Sequence, residues 1–505
     1  MVENNDPATL DVVDSPELIF GLVAPLGAPL KPVSNALEDT LSEHGYETKM
    51  IRLSRYLEES ILSLETPPPC QNMKESERLD TLMTRGNELR KVRSDALALL
   101  AANEIMGYRS GESPKFLEKT AFILRQLKHP DEVAWLRKIH GSAFHLIGVY
   151  SSEDVRRERL RIDRGIQQEE ATRLIERDSG EEADYGQQVR DTFHHADVFV
   201  EFSSNNADAA DVMESQIERY IKLLFGAVNP IITPTRDEYG MFFAHAASLR
   251  SADLSRQVGA AIVDPNGEIV SVGCNEVPKY GGGQYWEDDE NDARDFQLGF
   301  DANTNKKREI LCEVISRLKQ DWGELTTDER QKDLSIAEQL LDGTRLMALT
   351  EFGRITHAEM EAILAAGRKG ISINGGELYT TTFPCHNCAK HIISSGLSRV
   401  VYIEPYPKSL APDFHEDSLT LSSYEDRKVQ CNPFIGIAPR LYPVLFSSRT
   451  PDGRQLRRKK ADGTLREDSL GLRQDFYPVE HIQREAMAVQ FLHEVLETIG
   501  EEGKG

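Results

Sequence analysis

Apolar runs alternate with amphipathic stretches along the first half of the chain. The segment ELIFGLVAPLG (17–27) predicts a buried strand that ends in a glycine-proline turn, and KPVSNALEDTLSEHG (31–45) predicts an amphipathic helix. YETKMIRLS (46–54) then predicts a second strand, so the order is strand, loop, helix, strand. That order is typical of a parallel α/β sheet with helices packed against it.

Further apolar runs extend this predicted sheet. Strands are expected at AFHLIGVY (143–150) and ADVFVEF (196–202). The charged segment between them (153–190) is expected to be helical, with a lid-like turn at RDSGEEADYG. The helix ESQIERYIKLLFG (214–226) then closes this half of the chain at a glycine.

The pattern changes in the second half. EYGMFFAHAASLRS predicts a helix, and QVGAAIVDPNGEIVSVGCN predicts a β-hairpin, because two alternating apolar runs flank Pro-Asn-Gly. A charged insertion, expected to be helical, follows at 286–345. We therefore expect four parts: a polar leader (1–16), a first domain (17–228), a linker rich in turn-forming residues (229–237) and a second domain (238–505).

Composition and charge narrow the class of protein. A length of 505 residues suggests two or three domains, and a net charge of −24 argues against a large nucleic-acid groove. No apolar run reaches the roughly 18 residues that would suit a membrane span, and the N-terminus lacks the features of a secretory signal. The six cysteines are too scattered for a disulfide framework, so we expect a cytoplasmic protein.

Two short motifs carry the candidate chemistry. His357 and Glu359 form a His-x-Glu at the predicted start of the helix THAEMEAILAAG, and Cys385 and Cys388 follow a strand and a proline in FPCHNCAKH. Helix starts stabilise thiolates, so two facing helix starts would offer one nitrogen and two sulfurs to Zn²⁺. Three protein ligands leave the fourth position for water, whose pKa zinc lowers to about 7, and Glu359 lies where it can move that water's proton.

Two other readings of the cysteines stay open. A Cys-x-x-Cys pair also occurs in thioredoxin-like redox proteins, but that reading does not account for the proline or for the His-x-Glu upstream. His391 follows Cys388 at helical spacing and could complete a closed Cys₂His₂ structural zinc site. That arrangement would leave Glu359 without a purpose.

The combination of His-x-Glu with Pro-Cys-x-x-Cys is the signature of zinc-dependent deaminases. Residues 250–405, which contain LRSADLSRQVGAAIVDPNGEIVSVGCN, HAEMEAIL and LYTTTFPCHNCAKHIISSGLSRVVYIEPY, resemble the deoxycytidylate deaminases of the cytidine deaminase superfamily. The resemblance implies an α-β-α sandwich with a mixed five-stranded sheet. It also implies that His357, Cys385 and Cys388 bind Zn²⁺ and that Glu359 is the catalytic proton shuttle.

The same resemblance assigns substrate contacts and shows two departures. It implies that Asn275 contacts the deoxyribose and that Arg250 and Ser251 lie near the nucleotide phosphate. Cys274 stands where the family commonly has tyrosine, and Glu361 stands where asparagine is usual after HAEM. Because Glu361 adds a negative charge near the expected sugar-phosphate, the choice among unphosphorylated, mono- and triphosphate substrates stays open.

The N-terminal half resembles P-loop kinases, especially nucleoside monophosphate kinases. GLVAPLGAPLKP stands at the place of a phosphate loop, but five residues separate Gly21 from Gly27, and Ala28-Pro29 replaces the lysine and hydroxyl residue that such a loop needs. Pro29 also lacks an N–H donor. We therefore expect a degenerate kinase-like domain without phosphoryl transfer, in which Gly21 and Gly27 are weak candidates for nucleotide binding.

A degenerate kinase-like domain joined to a deoxycytidylate deaminase-like domain resembles the bacterial anti-phage cytidine deaminases. That group deaminates dCTP and dCMP and thereby depletes the deoxycytidine nucleotide pool during infection. The resemblance implies free deoxycytidine nucleotides as substrates and a homo-oligomer, with a hexamer favoured. In some members a small RNA antitoxin holds the enzyme inactive, and LRRKK (456–460) is then a candidate contact, although a solvated basic loop is the favoured interpretation of this segment.

Two rival functions remain at this stage. A deaminase of bases in RNA or DNA could use the same zinc site, but it would need a basic surface that a net charge of −24 does not favour. A nucleotide-sensing or RNA-binding regulatory protein could hold zinc only for structure. The second rival would tolerate the loss of the Glu359 carboxylate, whereas a deaminase would not.

Overall fold

A computed structural model describes the chain from residue 15 to residue 502. The description omits residues 60–61, 110–115, 182, 205–206, 229, 320, 345, 348, 422–424, 426, 452, 467–470 and 474–477. The predicted leader, residues 1–16, thus lies almost entirely outside the described residues. Of the described residues, those up to Glu238 and those from Ile435 onward form one compact unit, and Tyr239–Phe434 form a second.

Strands and helices alternate along the described chain. The strands are β1 (Leu18–Val23), β2 (Glu47–Arg52), β3 (Thr120–Arg125), β4 (Phe144–Tyr150), β5 (Val198–Glu201), β6 (Gly259–Val263), β7 (Ile269–Cys274), β8 (Glu377–Thr382), β9 (Arg399–Glu404), β10 (Leu419–Thr420), β11 (Val429–Pro433) and β12 (Gly436–Ile437). The helices are α1 (Leu30–Glu43), α2 (Ser54–Glu58), α3 (Glu75–Val92), α4 (Ala96–Gly107), α5 (Pro130–His140), α6 (Glu153–Arg164), α7 (Gln168–Ser179), α8 (Val189–Phe193), α9 (Ala207–Leu224), α10 (Arg236–Ser248), α11 (Asp295–Leu298), α12 (Ala302–Leu318), α13 (Thr327–Leu341), α14 (Ala358–Lys369), α15 (His386–Ser394), α16 (Ala411–Phe414), α17 (Tyr442–Phe446) and α18 (Pro478–Glu502).

The first unit is built on a parallel sheet. Its strand order is β12-β5-β4-β1-β3-β2, and every neighbouring pair is parallel except β12 with β5. β1 is buried at all six positions, as expected for a parallel strand that is covered on both faces. The predicted parallel α/β sheet of the first half is confirmed, together with the predicted strands at β1, β2, β4 and β5. β3, which lies between β1 and β2, was not among the predicted strands.

The division of the chain differs from the predicted domains at the C-terminal end. The sequence assigned 238–505 to the second domain, whereas the described residues from Ile435 onward lie in the first unit. Two contacts account for this: β12 pairs antiparallel with β5, and α18 packs against α4. A strand of two residues has no hydrophobic period, so the sequence pattern could not indicate its partner.

The second unit is built on a mixed sheet. Its strand order is β10-β11-β9-β8-β6-β7, with β6 antiparallel to both β7 and β8 and the remaining pairs parallel. The predicted hairpin is confirmed as β6 and β7. The described sheet has six strands where the resemblance implied five, because the two-residue β10 adds to β11 at the edge.

Two glycines show how helices cover this sheet on both faces. A Cβ on Gly259 of β6 would lie 1.9 Å from the Ala244 carbonyl oxygen of α10, and a Cβ on Gly273 of β7 would lie 2.3 Å from the Ala358 carbonyl oxygen of α14. Gly259 pairs with Cys274 and Gly273 pairs with Ala260, so the two glycines face opposite sides of the sheet. The sheet therefore lies between α10 and α14, which is the α-β-α layering that the resemblance implied.

The predicted insertion at 286–345 forms helices, as its charged sequence indicated. Its described part contains α11, α12 and α13, and α12 packs against α13. Among the described residues, no helix combines the length and the apolar character that a membrane crossing requires.

Candidate metal centre and catalytic site

The first half of the candidate site is the start of α14. His357 has an extended backbone (φ −65°, ψ 155°) and immediately precedes the helix, and its carbonyl accepts a 2.9 Å hydrogen bond from the Glu361 N–H. An antiparallel bridge between Thr356 and Glu276 fixes the chain just before it, with backbone hydrogen bonds of 3.0 and 3.2 Å. The end of β7 and the start of α14 are thereby held side by side. Glu359 follows in the first turn of the helix.

The second half of the site is the start of α15. After β8, Pro384 turns the chain, Cys385 takes the position before the helix with an extended backbone, and Cys388 lies in its first turn. The Cys385 carbonyl accepts a 2.9 Å hydrogen bond from the Ala389 N–H, which begins the helical ladder. Both cysteines therefore lie where unpaired helical N–H groups favour a thiolate. The predicted placement at two helix starts is confirmed.

These two helix starts bring three ligand atoms together. His357 Nδ1 lies 3.4 Å from Cys385 Sγ and 3.4 Å from Cys388 Sγ, and the three atoms all lie within 4.8 Å of one another. A tetrahedral zinc with Zn–S of about 2.3 Å and Zn–N of about 2.0 Å requires N···S separations of about 3.5 Å. The donor types and their spacing therefore fit Zn²⁺ with three protein ligands.

Glu359 places a carboxylate directly beside this cluster. Its side chain is buried, and its Oε2 accepts a hydrogen bond from the Cys388 thiol at 3.4 Å. Burial raises the pKa of Glu359, and the nearby Cys385 charge raises it further. A buried carboxylate with a raised pKa is suited to accept and release a proton near neutral pH.

The pKa values of the three ligand residues are shifted in different directions. A hydrogen bond from Cys388 and the contact with His357 lower the pKa of Cys385 to about 4. The hydrogen bond with Cys385 in turn raises the pKa of His357 to about 9, while the pKa of Cys388 is raised well above its usual value by the Cys385 thiolate and by burial. These shifts favour the thiolate form of Cys385, which is the form of cysteine that binds a metal.

The other two histidines of the motif lie away from the cluster. His391 on α15 is exposed and is not one of the grouped ligand atoms, so the described residues do not assemble the closed Cys₂His₂ set that the sequence left open. His386 Nε2 lies 3.7 Å from Glu351, and its ring packs edge-on against Phe414. The cluster therefore has three ligands, which is typical of a catalytic zinc site.

The three predicted substrate residues form one connected region next to β7. Asn275 Oδ1 accepts a hydrogen bond from the Val258 N–H at 2.7 Å, and its Nδ2 donates to the Arg256 carbonyl at 2.8 Å. Ser251 Oγ donates to the Asn275 carbonyl at 2.7 Å. Asn275 precedes Glu276, which bridges to Thr356, so this region adjoins His357. In the structure, the side chains of Asn275 and Ser251 form hydrogen bonds with backbone groups of the protein. Substrate binding by these two residues stays a prediction.

Arg250 is held by the start of the insertion. Its guanidinium donates to Gln284 Oε1 at 2.9 Å and to the Tyr285 carbonyl at 2.8 Å, and it stacks 3.6 Å from the centroid of the Trp286 ring. Sequence reasoning assigned Trp286 to the insertion and missed this contact. Arg250 as a phosphate contact also stays a prediction.

The two departures from the family pattern are both buried and both have partners. The Cys274 thiol lies 3.3 Å from Gln284 Oε1, and burial raises its pKa to about 11, so it is a neutral thiol. Glu361 forms an ion pair with Arg368 on the same helix. That pairing offsets the negative charge that the sequence placed near the substrate.

Glu276 is a further residue of this region that the sequence analysis missed. It is 1% exposed, and its carboxylate accepts hydrogen bonds from the N–H groups of Ala252 at 2.9 Å and of Val277 at 2.8 Å. It thereby joins the loop after α10 to the end of β7. An acidic residue two positions after the end of a strand was the available signal.

The two glycines proposed for nucleotide binding lie in the first unit. Gly21 lies inside β1, not in the following loop, and a Cβ there would lie 2.8 Å from Leu127 and 2.9 Å from Phe144. Gly27 lies in the loop with φ +89°, a conformation that favours glycine, and a Cβ there would lie 2.8 Å from the Arg156 carbonyl. Close packing accounts for Gly21 without a ligand.

Known proteins are similar to part of this chain. Residues 234–404 match the model of the family described as the cytidine and deoxycytidylate deaminase zinc-binding region. The deoxycytidylate deaminase of Enterobacteria phage T2 is 51% identical over 53 residues, which are 10% of this chain and 28% of the phage protein. A probable deoxycytidylate deaminase of Drosophila melanogaster is 29% identical over 167 residues, 33% of this chain and 58% of that protein. Among solved structures, the apo dCMP deaminase of cyanophage S-TIM5 is 19% identical with a TM-score of 0.22, over 40% of this chain and 99% of the phage chain.

The two sequence relatives are matched over only part of their own length. The chain spans 28% of the length of the T2 protein and 58% of the length of the Drosophila protein. The matched family region includes His357, Glu359, Cys385 and Cys388. The family description, a zinc-binding region, agrees with the ligand set that the structure brings together.

Proposed function

We propose that the second unit catalyses the hydrolytic deamination of free deoxycytidine nucleotides, dCMP or dCTP, to the corresponding deoxyuridine nucleotide and ammonia. The observation that carries this proposal is the buried Glu359 carboxylate, 3.4 Å from Cys388 Sγ, beside a His-Cys-Cys set with the spacing of a zinc site. The family match to residues 234–404 and the names of the similar phage and insect proteins support it.

The residues of the site have distinct roles in this reaction. Zn²⁺ held by His357, Cys385 and Cys388 would supply the Lewis acid that makes a water nucleophilic at neutral pH. Glu359 accepts a proton from the attacking water and delivers it to N3 of the cytosine ring as the bond from oxygen to C4 forms. The C4–N bond then breaks, and the amino group leaves as ammonia after it receives the second proton of the water through Glu359.

Free nucleotides fit the charge of this chain better than polynucleotides do. A net charge of −24 opposes binding of a long phosphate backbone, whereas a single nucleotide can be held by a few local contacts. Arg250 lies in the loop after α10, next to Ser251 and Asn275, and is the cation that we propose for the phosphate. Its present bonds to Gln284 and Tyr285 would then be exchanged when substrate binds.

The wider role of the chain follows from the resemblance of its two-domain order. We propose that a degenerate kinase-like first unit accompanies the deaminase, and that the deaminase depletes the deoxycytidine nucleotide pool as a defence against phages. Support for this role is the order of the two domains. A hexamer and control by a small RNA belong to the same proposal.

The direct test is ammonia release with product identification on the purified protein. The substrates are dCTP, dCMP, deoxycytidine, CTP and single-stranded DNA, and the matched control is Glu359→Gln, which keeps the volume of the side chain and all three metal ligands. We expect turnover of dCMP or dCTP by the wild type, and zinc without turnover in the variant. Turnover of DNA alone, or a zinc-loaded wild type that is inactive on all five, would refute the proposal.

A further inference from the structure

The first unit contains a large cavity at the carboxyl end of its parallel sheet. Its volume is about 830 Å³, and its lining includes residues that end β2 and β3 and residues of the loop after β1. In open α/β sheets, ligands bind outside the carboxyl ends of the strands, and small-molecule pockets typically measure about 300–1,000 Å³. The position and size of the cavity therefore suit a small-molecule ligand.

The loop after β1 has fewer free backbone donors than a phosphate loop needs. The Leu26 N–H donates to the Asp178 carboxylate at 2.7 Å, and the Ala28 N–H donates to the Pro25 carbonyl at 3.0 Å. Pro25 and Pro29 have no N–H to donate. An internal carboxylate thus occupies one backbone donor of this loop, so we expect side chains to hold an anion in this cavity.

Two arginines provide those side chains at the ends of neighbouring strands. Arg52 ends β2 and Arg125 ends β3, and the two are paired in register in the parallel ladder. Paired residues of adjacent strands project from the same face of the sheet, so the two guanidinium groups share one side. Like charges in such a pair destabilise a sheet unless something between them compensates.

Arg125 has no acidic partner among the described residues. Within the described part of the chain, no carboxylate or carbonyl accepts a hydrogen bond from the half-buried Arg125 guanidinium. Burial lowers the pKa of Arg125, and the positive charges of Arg52 and Arg164 lower it further. An anion bound to Arg125 would offset both the burial of its charge and the repulsion from Arg52 and Arg164.

Two of the carboxylates that line the cavity, Glu58 and Glu75, are already shared among other arginines. Glu75 accepts two hydrogen bonds from Arg78, at 2.7 and 2.9 Å, and also pairs with Arg164. Glu58 lies 3.1 Å from Arg78 and 3.4 Å from Arg52. Two carboxylates thus serve three arginines, while Arg125 has none, so this wall of the cavity is positive in a chain whose net charge is −24.

Another part of the lining is apolar. Leu53, Leu57, Leu79, Met83 and Leu160 contribute side chains to the cavity. A ligand with both an anionic and an apolar part would match the two kinds of wall. A lone small anion would leave the apolar wall in contact with water.

We propose that this cavity binds a phosphate-bearing small molecule through Arg125 and Arg52, with the less polar part of the ligand against the leucine-rich wall. Planar guanidinium groups bind phosphate oxygens through two parallel N–H donors, which is why arginine suits this task. The site is separate from the proposed deaminase chemistry and does not depend on it. The sequence suggested that a glycine-containing loop binds the nucleotide. In this proposal, arginine side chains at the strand ends bind the phosphate instead.

The test is isothermal titration calorimetry of the full-length protein with two probes, ATP and inorganic tripolyphosphate. We expect both to bind the wild type and to bind Arg125→Ala about tenfold to a hundredfold more weakly, since a charge-assisted hydrogen-bond partner is lost. Arg52→Ala should weaken binding as well, and Arg125→Lys should restore part of it. The matched control is Arg161→Ala. Arg161 lies on the same helix as Arg164, but it pairs with Glu158 and does not line the cavity.

Thermal unfolding without ligand separates a binding role from a structural one. Removal of an uncompensated cation should leave the melting temperature of Arg125→Ala unchanged or higher, whereas a structural residue would lower it by several degrees. If the two probes bind equally tightly, the phosphates alone are recognised. If ATP binds more tightly, the apolar wall contributes to binding as well. The proposal is overturned if neither probe binds the wild type, if Arg125→Ala and Arg52→Ala both bind as the wild type does, or if Arg125→Ala is destabilised without ligand.

Discussion

Replacement of Gly273 by alanine tests how the fold places the candidate metal ligand. Gly273 lies on β7 and faces α14, whose first residues follow His357 directly. A Cβ at this position would lie 2.3 Å from the Ala358 carbonyl oxygen and 2.5 Å from the Ala362 nitrogen, both of which are backbone atoms. Because a rotamer change cannot move backbone atoms, the helix itself would have to retreat.

The size of the effect follows from that distance. A non-bonded C···O contact needs about 3.3 Å, so α14 would have to move by about 1 Å. Overpacking of this kind costs about 1–3 kcal/mol of stability. Ala358 lies between His357 and Glu359, so the same displacement moves a metal ligand and the proton carrier together, and a 1 Å misplacement of catalytic groups costs about a hundredfold in rate.

The assay compares Gly273→Ala with Gly367→Ala by urea denaturation, zinc content and ammonia release. Gly367 lies on the exposed face of the same helix, and a Cβ there meets no atom within 4 Å, so its replacement should stabilise the protein by about 0.5–1 kcal/mol. We expect a lower urea midpoint and a large loss of turnover only for Gly273→Ala. A Gly273→Ala protein with wild-type midpoint and turnover would refute the reasoning that the contact of β7 with α14 positions His357.

Three further substitutions test the candidate site itself. Glu359→Gln should keep zinc and lower kcat by about a hundredfold to ten-thousandfold, since a general acid-base group is lost; retained turnover, measured as ammonia release, would count against the mechanism. Cys385→Ser should release zinc, measured by metal analysis, and abolish turnover, and an active zinc-free variant would disprove the metal site. Glu361→Asn should leave the positive charge of Arg368 without its partner. The KM for dCMP relative to that for deoxycytidine should then fall by about fivefold, which corresponds to one screened charge interaction. An unchanged KM ratio would place the phosphate away from Glu361.

The candidate metal site was accessible from the sequence because its chemistry is local. Each pair of functional residues belongs to one short motif, and both motifs begin a helix, so the side chains are placed by the first turn of that helix. His357 with Glu359 and Cys385 with Cys388 were predicted in this way, and the structure brings them together. The sequence could not decide whether His391 also joined them, because helical spacing alone does not say which face of α15 meets α14.

The alternation of apolar and polar positions also determined much of the fold. It gave the strands β1, β2, β4 and β5, the β6–β7 hairpin and the helical character of the insertion, since each of these has a period that depends only on neighbouring residues. The pattern did not predict β3. It also assigned the chain after β11 to the wrong unit, because the two-residue β12 has no hydrophobic period of its own.

Contacts between distant segments were decided only by the tertiary structure. The pairing of Arg52 with Arg125 depends on the register between two strands that are separated by three helices, and the stacking of Arg250 on Trp286 depends on how a loop folds back. The sequence by itself determined which residues carry the chemistry and which segments become strands or helices, because both depend on near neighbours. Register, sheet order and the partners of buried charges depend on which distant surfaces pack together, and only the folded chain determines those.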